Sequence, residues 1–177
     1  MAKNSLKKVI KILRNATADI DTDEEGLSGE VIDSVLSVYC TNYTGITYAA
    51  LLPKLYSKTN VFTIVVLSCN HWILITKTRS CIQYFDPLAT SIVYPTVKKF
   101  LYSFGIPVYK NDSFYQHPQS KFCGLWVICL ALWQDDSYKS LKTLPFNPKT
   151  SNNERFVVKV IISMLMDKHN NRSHRKI

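Results

Sequence analysis

Cys123 has the surroundings of a nucleophile. It opens the run CGLWVICLALWQ (123–134), follows a loop containing Pro118, and precedes Gly124. A segment apolar almost all round reads as a buried helix, which places the thiol at that helix's N-terminus. The partial positive charge there favours thiolate over thiol. The free N–H groups at the same place can receive an oxyanion. Cys129, six residues further on, has neither feature and reads as core.

A thiolate nucleophile works best with a base within hydrogen-bond reach. Of the four histidines, His169 and His174 lie in the polar tail HNNRSHRKI, and His117 lies in the loop before Cys123. His117 stays a candidate on position. His71 opens a strand just after Asn70, where the backbone would hold its ring. Asp86 is the only carboxylate between Ser34 and Lys110. A two-residue turn at Thr78-Arg79 would pair Lys77 with Ser80 and set His71 directly opposite Asp86, with Cβ atoms roughly 5 Å apart. A carboxylate there fixes the imidazole tautomer and stabilises the imidazolium. A slip of one residue would turn Asp86 to the other face. Gln116 and Gln119 both lie in the loop leading to Cys123, and an uncharged amide there suits an oxyanion. Residue chemistry alone does not choose between them.

These side chains need elements to carry them. Residues 5–15 have the apolar spacing of an amphipathic helix, and Asp19 to Gly26 reads as an acidic loop. Ser28 is placed to cap a second helix with Val31, Ile32, Val35, Leu36 and Tyr39 as its stripe. Residues 41–60 read as irregular, with turn signals at Gly45 and Pro53. The runs 61–67, 72–77 and 81–86 read as strands, the last two as a hairpin. A helix is expected over 92–104, tolerating Pro95 in its first turn, and a strand over 106–110. Ser151, Asn152 and Glu154 offer capping for a last helix over 153–168, with 169–177 a basic, frayed tail. The expected fold class is α+β: a small mixed central sheet flanked by helices, with the cysteine at the N-terminus of a buried central helix.

A length of 177 residues fits one domain spanning 1–177, with 1–26 as N-terminal helix and acidic loop. The longest apolar run falls far short of the roughly 18 residues of a membrane span. No charged-then-apolar leader with a cleavage site is present, so an intracellular location is expected. Five cysteines without a CxxC pair or zinc spacing imply reduced thiols and no metal, with Cys40, Cys69, Cys81 and Cys129 as buried hydrophobes. The net charge of +9 is uneven. Residues 1–33 carry five bases against seven carboxylates, while the rest carries 17 bases against six acids, net +11. A body that basic attracts polyanions, nucleic acid above all.

The segments Asn70-His71-Trp72, Tyr84-Phe85-Asp86-Pro87 and Gln116-His117-Pro118-Gln119-Ser120-Lys121-Phe122-Cys123-Gly124-Leu125 together resemble the adenovirus maturation protease (adenain) and its relatives. That clan also holds the ubiquitin-like-protein proteases, and its order is His, acid, Gln, Cys. The resemblance implies a cysteine endopeptidase with His71, Asp86, Gln116 and Cys123 as its catalytic set, and it selects Gln116 over Gln119. It implies substrate contacts at Trp72 and Gly124 and cleavage at Gly-Gly-type sites. The implied substrates are viral structural precursors in virion and host nucleus, or ubiquitin-like conjugates. No cofactor is required, and DNA stimulation is implied by resemblance and charge together. The chain departs from the adenovirus pattern in having Asp86 where Glu is usual. It departs from the ubiquitin-like-protein proteases in having Phe122 where an acid is common. The cysteine that bonds an activating peptide in adenovirus has no match here, so that cofactor is not carried over.

Overall fold

Ser68 and His71 face each other across a two-residue turn, Cys69-Asn70, whose φ values are +46° and +60°. Two successive positive φ values are the signature of a type I′ turn, whose twist matches that of the strands it joins. This turn fixes where the central hairpin begins, and with it the position of His71. The structure, a computed structural model, describes residues 2–19, 26–52, 61–90, 92, 94–135 and 153–174.

Five strands form one mixed sheet in the order β1-β2-β3-β4-β5. They are β1 (Tyr43–Tyr48), β2 (Phe62–Ser68), β3 (His71–Lys77), β4 (Ile82–Phe85) and β5 (Val108–Lys110). The two outer pairs, β1 with β2 and β4 with β5, are parallel, and the inner pairs are antiparallel. Helices cover both faces, so β2 and β3 read as continuous apolar runs rather than alternating ones. On one face Ile64, Val66, Ile73 and Ile75 pack against Val97, Phe100 and Leu101 of α3 (Pro95–Tyr102). On the other, Val65, Trp72, Leu74 and Phe85 meet α4 (Cys123–Asp135). That helix is in turn covered by α2 (Gly29–Tyr39) and α5 (Asn153–His174), and α1 (Ala2–Asp19) packs on those two. The α+β reading holds, and a buried central helix begins at Cys123.

Several expectations need correction. Residues 43–48 form β1, where an irregular segment was expected; Gly45, at φ +117°, sits at a register shift that lets the strand join β2. The β3–β4 connection is four residues, 78–81, pairing Lys77 with Ile82 instead of Ser80. A two-residue turn of either favoured type would have required positive φ at β-branched Thr78. Instead the Thr78 hydroxyl accepts from the amides of Ser80 and Cys81 at 3.3 and 3.1 Å. α3 begins only at Pro95, whose fixed φ suits a first helical position, not at 92. The last helix runs to His174, so residues 169–174 of the expected frayed tail are helical and His169 is buried. The buried ion pair of Lys168 with Asp135 at 2.8 Å ties this end of the helix to α4. Cys69 is exposed in its turn and Cys81 half-buried; only Cys40 and Cys129 behave as the core thiols expected, and all five are free. Ser28 does cap α2, accepting from the Val31 amide at 3.5 Å. The acidic residues 20–25, Pro53, and the capping residues Ser151 and Asn152 lie outside the described residues.

Candidate active site

β3 begins with His71, β4 ends one residue before Asp86, and α4 begins with Cys123, so three elements end at one place. His71 Nε2 lies 2.7 Å from Asp86 Oδ1. The register that brings them together differs from the expected one. Leu74 pairs with Phe85, so the ladder is shifted by two residues and His71 is not directly opposite Asp86. A two-residue shift preserves the face, because side chains alternate with period two. Asp86 reaches His71 diagonally from just beyond the strand.

Asp86 is 1% exposed, and its carboxylate is held from several sides. Oδ1 accepts from the Leu88 amide at 2.9 Å as well as facing His71. Oδ2 accepts from the Thr90 amide at 3.2 Å and from the Thr90 hydroxyl. Burial alone would raise the carboxyl's pKa, but the His71 and Thr90 hydrogen bonds and the imidazolium charge outweigh it and the net shift is downward. For His71, burial would lower the pKa, but hydrogen bonds to Asp86 and Cys123 and their charges push it up to about 9 from an ordinary 6.5. With Nε2 on Asp86, the other ring nitrogen, Nδ1, is left for the thiol.

These shifts have a definite sign for stability. His71 is bound more tightly as imidazolium in the folded state, so its contribution is complete below pH 6.5 and is lost as pH rises through about 9. Asp86 contributes above its ordinary value of 3.8, and that contribution is lost as pH falls through its depressed folded value. Urea unfolding followed against pH is expected to show stability falling between pH 6.5 and 9. That fall should be absent in His71→Ala.

Gln116 is 2% exposed and lies on the cleft with Cys123, whereas Gln119 and His117 are exposed and lie off it. Gln116 Nε2 donates to the Ser120 carbonyl at 2.6 Å, which orients the amide and leaves a second N–H. Its Oε1 is buried without a partner. The cleft has a volume of about 590 Å³ and is walled by Leu27, Asn70, Trp72, Leu88 and Lys121 around His71 and Cys123. The Trp72 indole donates to the Leu27 carbonyl at 2.9 Å, which fixes that wall to the sheet. A second cleft of about 510 Å³ contains Cys81 but has no histidine or carboxylate in its wall, so it lacks the base a thiol chemistry needs. Among the described residues no group of His, Cys, Asp and Glu is arranged to hold a metal ion.

Gly124, for which the resemblance implies a substrate contact, is buried in the first turn of α4. It does not line the cleft; a Cβ there would stand 2.7 Å from Leu27 Cβ and 3.3 Å from Ile32 Cδ1. The missing side chain lets the cleft wall close onto α4. Gly124→Ala is expected to cost about 1–3 kcal/mol through overpacking, seen as a lower urea midpoint.

Thr90 and Asn111 escaped the sequence reading. Asn111 Oδ1 accepts from the Asp86 amide at 2.9 Å, and its Nδ2 donates to the Asp86 carbonyl at 2.6 Å. The signal available for Thr90 was its place four residues after an Asp-Pro turn; Asn111 lies 25 residues from its partner and gave none.

No family model matches the chain, and no curated protein matches it in sequence. Among solved structures it is similar to a de-sumoylating protease, 14% identical with a TM-score of 0.50, over 92% of this chain and 88% of that one. It is also matched to the central domain of an uncharacterised protein from Legionella pneumophila, 15% identical with a TM-score of 0.41, over 71% of this chain and 88% of that one. The first likeness shows a shared fold.

Proposed function

We propose that the chain is a cysteine endopeptidase. The observation that carries this reading is the 2.7 Å His71–Asp86 pair beside Cys123 at a helix N-terminus, in one cleft with Gln116. Cys123 Sγ attacks the scissile carbonyl, and the oxyanion is received by Gln116 Nε2 and the Cys123 amide. The His71 imidazolium gives its proton to the leaving amine as the C–N bond breaks. Water then attacks the thioester and gives its proton to His71, and the acid leaves as the Cys123 thiolate and His71 imidazolium are restored. Asp86 keeps the ring in one tautomer throughout.

The resemblance of residues 116–125 to adenain supports cleavage after Gly-Gly, with Trp72 on the cleft wall as a substrate contact. Two substrate classes follow. The resemblance of residues 116–125 to adenain supports viral structural precursors. The fold shared with a de-sumoylating protease supports ubiquitin-like conjugates. The +11 charge outside residues 1–33 supports non-specific DNA binding that accelerates turnover.

Leu-x-Gly-Gly peptides and ubiquitin-like fusions, offered with and without DNA, separate these readings. Preference for the fusion selects the modifier protease, and preference for short peptides the maturation enzyme. Stimulation by DNA is expected to disappear between 50 and 200 mM salt. Salt-sensitive DNA binding without any peptidase activity would leave a nucleic-acid-binding protein instead. Equal cleavage after large residues would contradict the Gly-Gly specificity.

A further inference from the structure

Asp86 is buried, so its main-chain N–H and C=O require partners as much as its carboxylate does. One side chain reaches both, while the carbonyl also accepts from the Ala89 amide at 2.9 Å. Asn111 immediately follows β5, is 8% exposed, and its amide accepts from the Asp86 N–H and donates to the Asp86 carbonyl. The parallel β4–β5 ladder ends at Tyr84 with Lys110. The Asn111 side chain thus adds one more rung, made of an amide in place of a peptide, at the residue that holds His71. Its Nδ2 also donates to the Ser113 carbonyl at 3.0 Å, bending the chain back toward Asp86. There the amides of Tyr115 and Gln116 both donate to the Pro87 carbonyl, at 2.8 and 3.2 Å. One seam therefore joins the turn bearing Asp86 to the loop bearing Gln116.

We propose that Asn111 is a positioning residue, which holds the Asp86 carboxylate on His71 and, through the same seam, sets the Gln116 loop against the cleft. This rests on the protease reading for its effect on turnover but not for its effect on His71. Among the described residues, the titratable groups facing His71 are Asp86 from the turn after β4 and Cys123 from α4, with Lys121 on the cleft wall. β2 contributes only the uncharged Ser68 opposite it.

The test follows the His71 ring by NMR against pH in the full chain carrying Cys123→Ala, which removes the thiol and leaves the ring its hydrogen bond to Asp86. Asn111→Ala is expected to lower the His71 midpoint by about one pH unit. With Asp86→Asn already present, Asn111→Ala should leave the midpoint where it is, since the effect runs through Asp86. In the protein retaining Cys123, Asn111→Ala is expected to reduce kcat about tenfold or more while KM stays within about twofold. Asn111→Ser keeps a hydroxyl for the Asp86 N–H and takes the place of the alanine variant if the latter does not stay folded. An unchanged midpoint, or an equal fall with and without Asp86→Asn, would overturn the proposal and reduce Asn111 to a support of the fold. Absence of turnover in the unaltered protein would count against the protease reading alone, and the titration would still decide the role of Asn111.

Discussion

Cys123→Ala is expected to bring peptide hydrolysis down to the level left by binding and the oxyanion donors, a loss of about 10⁴-fold or more in kcat. His71→Ala should fall nearly as far, because the two groups act as a unit and their losses do not add. Asp86→Asn occupies a different place. An amide can still contact Nε2 but neither fixes the tautomer nor stabilises the imidazolium, so a loss of about 10²–10⁴-fold is expected with KM little changed. The pH profile separates it from a general loss of structure. In the unaltered protein the alkaline limb of kcat/KM should lie near the His71 value of about 9, strictly a property of the coupled His71–Cys123–Asp86 set. Asp86→Asn should move that limb downward. Steady-state kinetics from pH 5 to about pH 10 measures both, and an unmoved limb would separate Asp86 from the reaction.

Lys168→Ala is expected to be the most destabilising single change outside the site. Lys168 and Asp135 form a 2.8 Å ion pair with side chains only 8% and 6% exposed. Asp135 lies in the last described turn of α4, where a carboxylate taken out of water needs a counter-charge. The lysine compensates for that placement. The same carboxylate accepts from the Thr41 amide at 2.6 Å and its hydroxyl at 3.3 Å, tying the segment after α2 to α4 and α5. Removing one partner of such a pair leaves a buried charge and costs about 3–5 kcal/mol, or a fall in Tm on the order of 10 °C for a chain of this size. Replacing both partners by Met and Leu should cost much less, since no charge is then stranded. Thermal unfolding of the two variants is the check; equal losses would mean that packing, not charge, holds this corner.

The place of the candidate site was legible where it coincided with strong local pattern. A helix apolar on every side can only be buried, so its first residue, Cys123, is delivered to the interior edge of the molecule whatever the rest does. His71 opening one strand and Asp86 closing another could be placed from the strand pattern. What sequence could not supply was the exact pairing. The Thr78 side chain builds a four-residue connection, and nothing in the strand pattern distinguishes it from a two-residue turn, because both keep His71 and Asp86 on one face. β1 was missed because Gly45 interrupts a weak run that becomes a strand only by pairing with β2. Asn111 and Gly124 act through contacts distant in sequence, with Asp86 and with Leu27. The final turns of α5 were misjudged because a polar segment looks solvated until Asp135 is seen beside Lys168.

The most direct measurement of the central claim needs no knowledge of the natural substrate. A short peptide ending in Gly-Gly and carrying an electrophilic warhead at its C-terminus is incubated with the intact protein, and the adduct is located by mass spectrometry. The account predicts one adduct, on Cys123, strongly diminished in His71→Ala and absent in Cys123→Ala, with exposed Cys69 unmodified. Equal labelling of Cys69 and Cys123, or labelling of Cys123 that does not depend on His71, would contradict it.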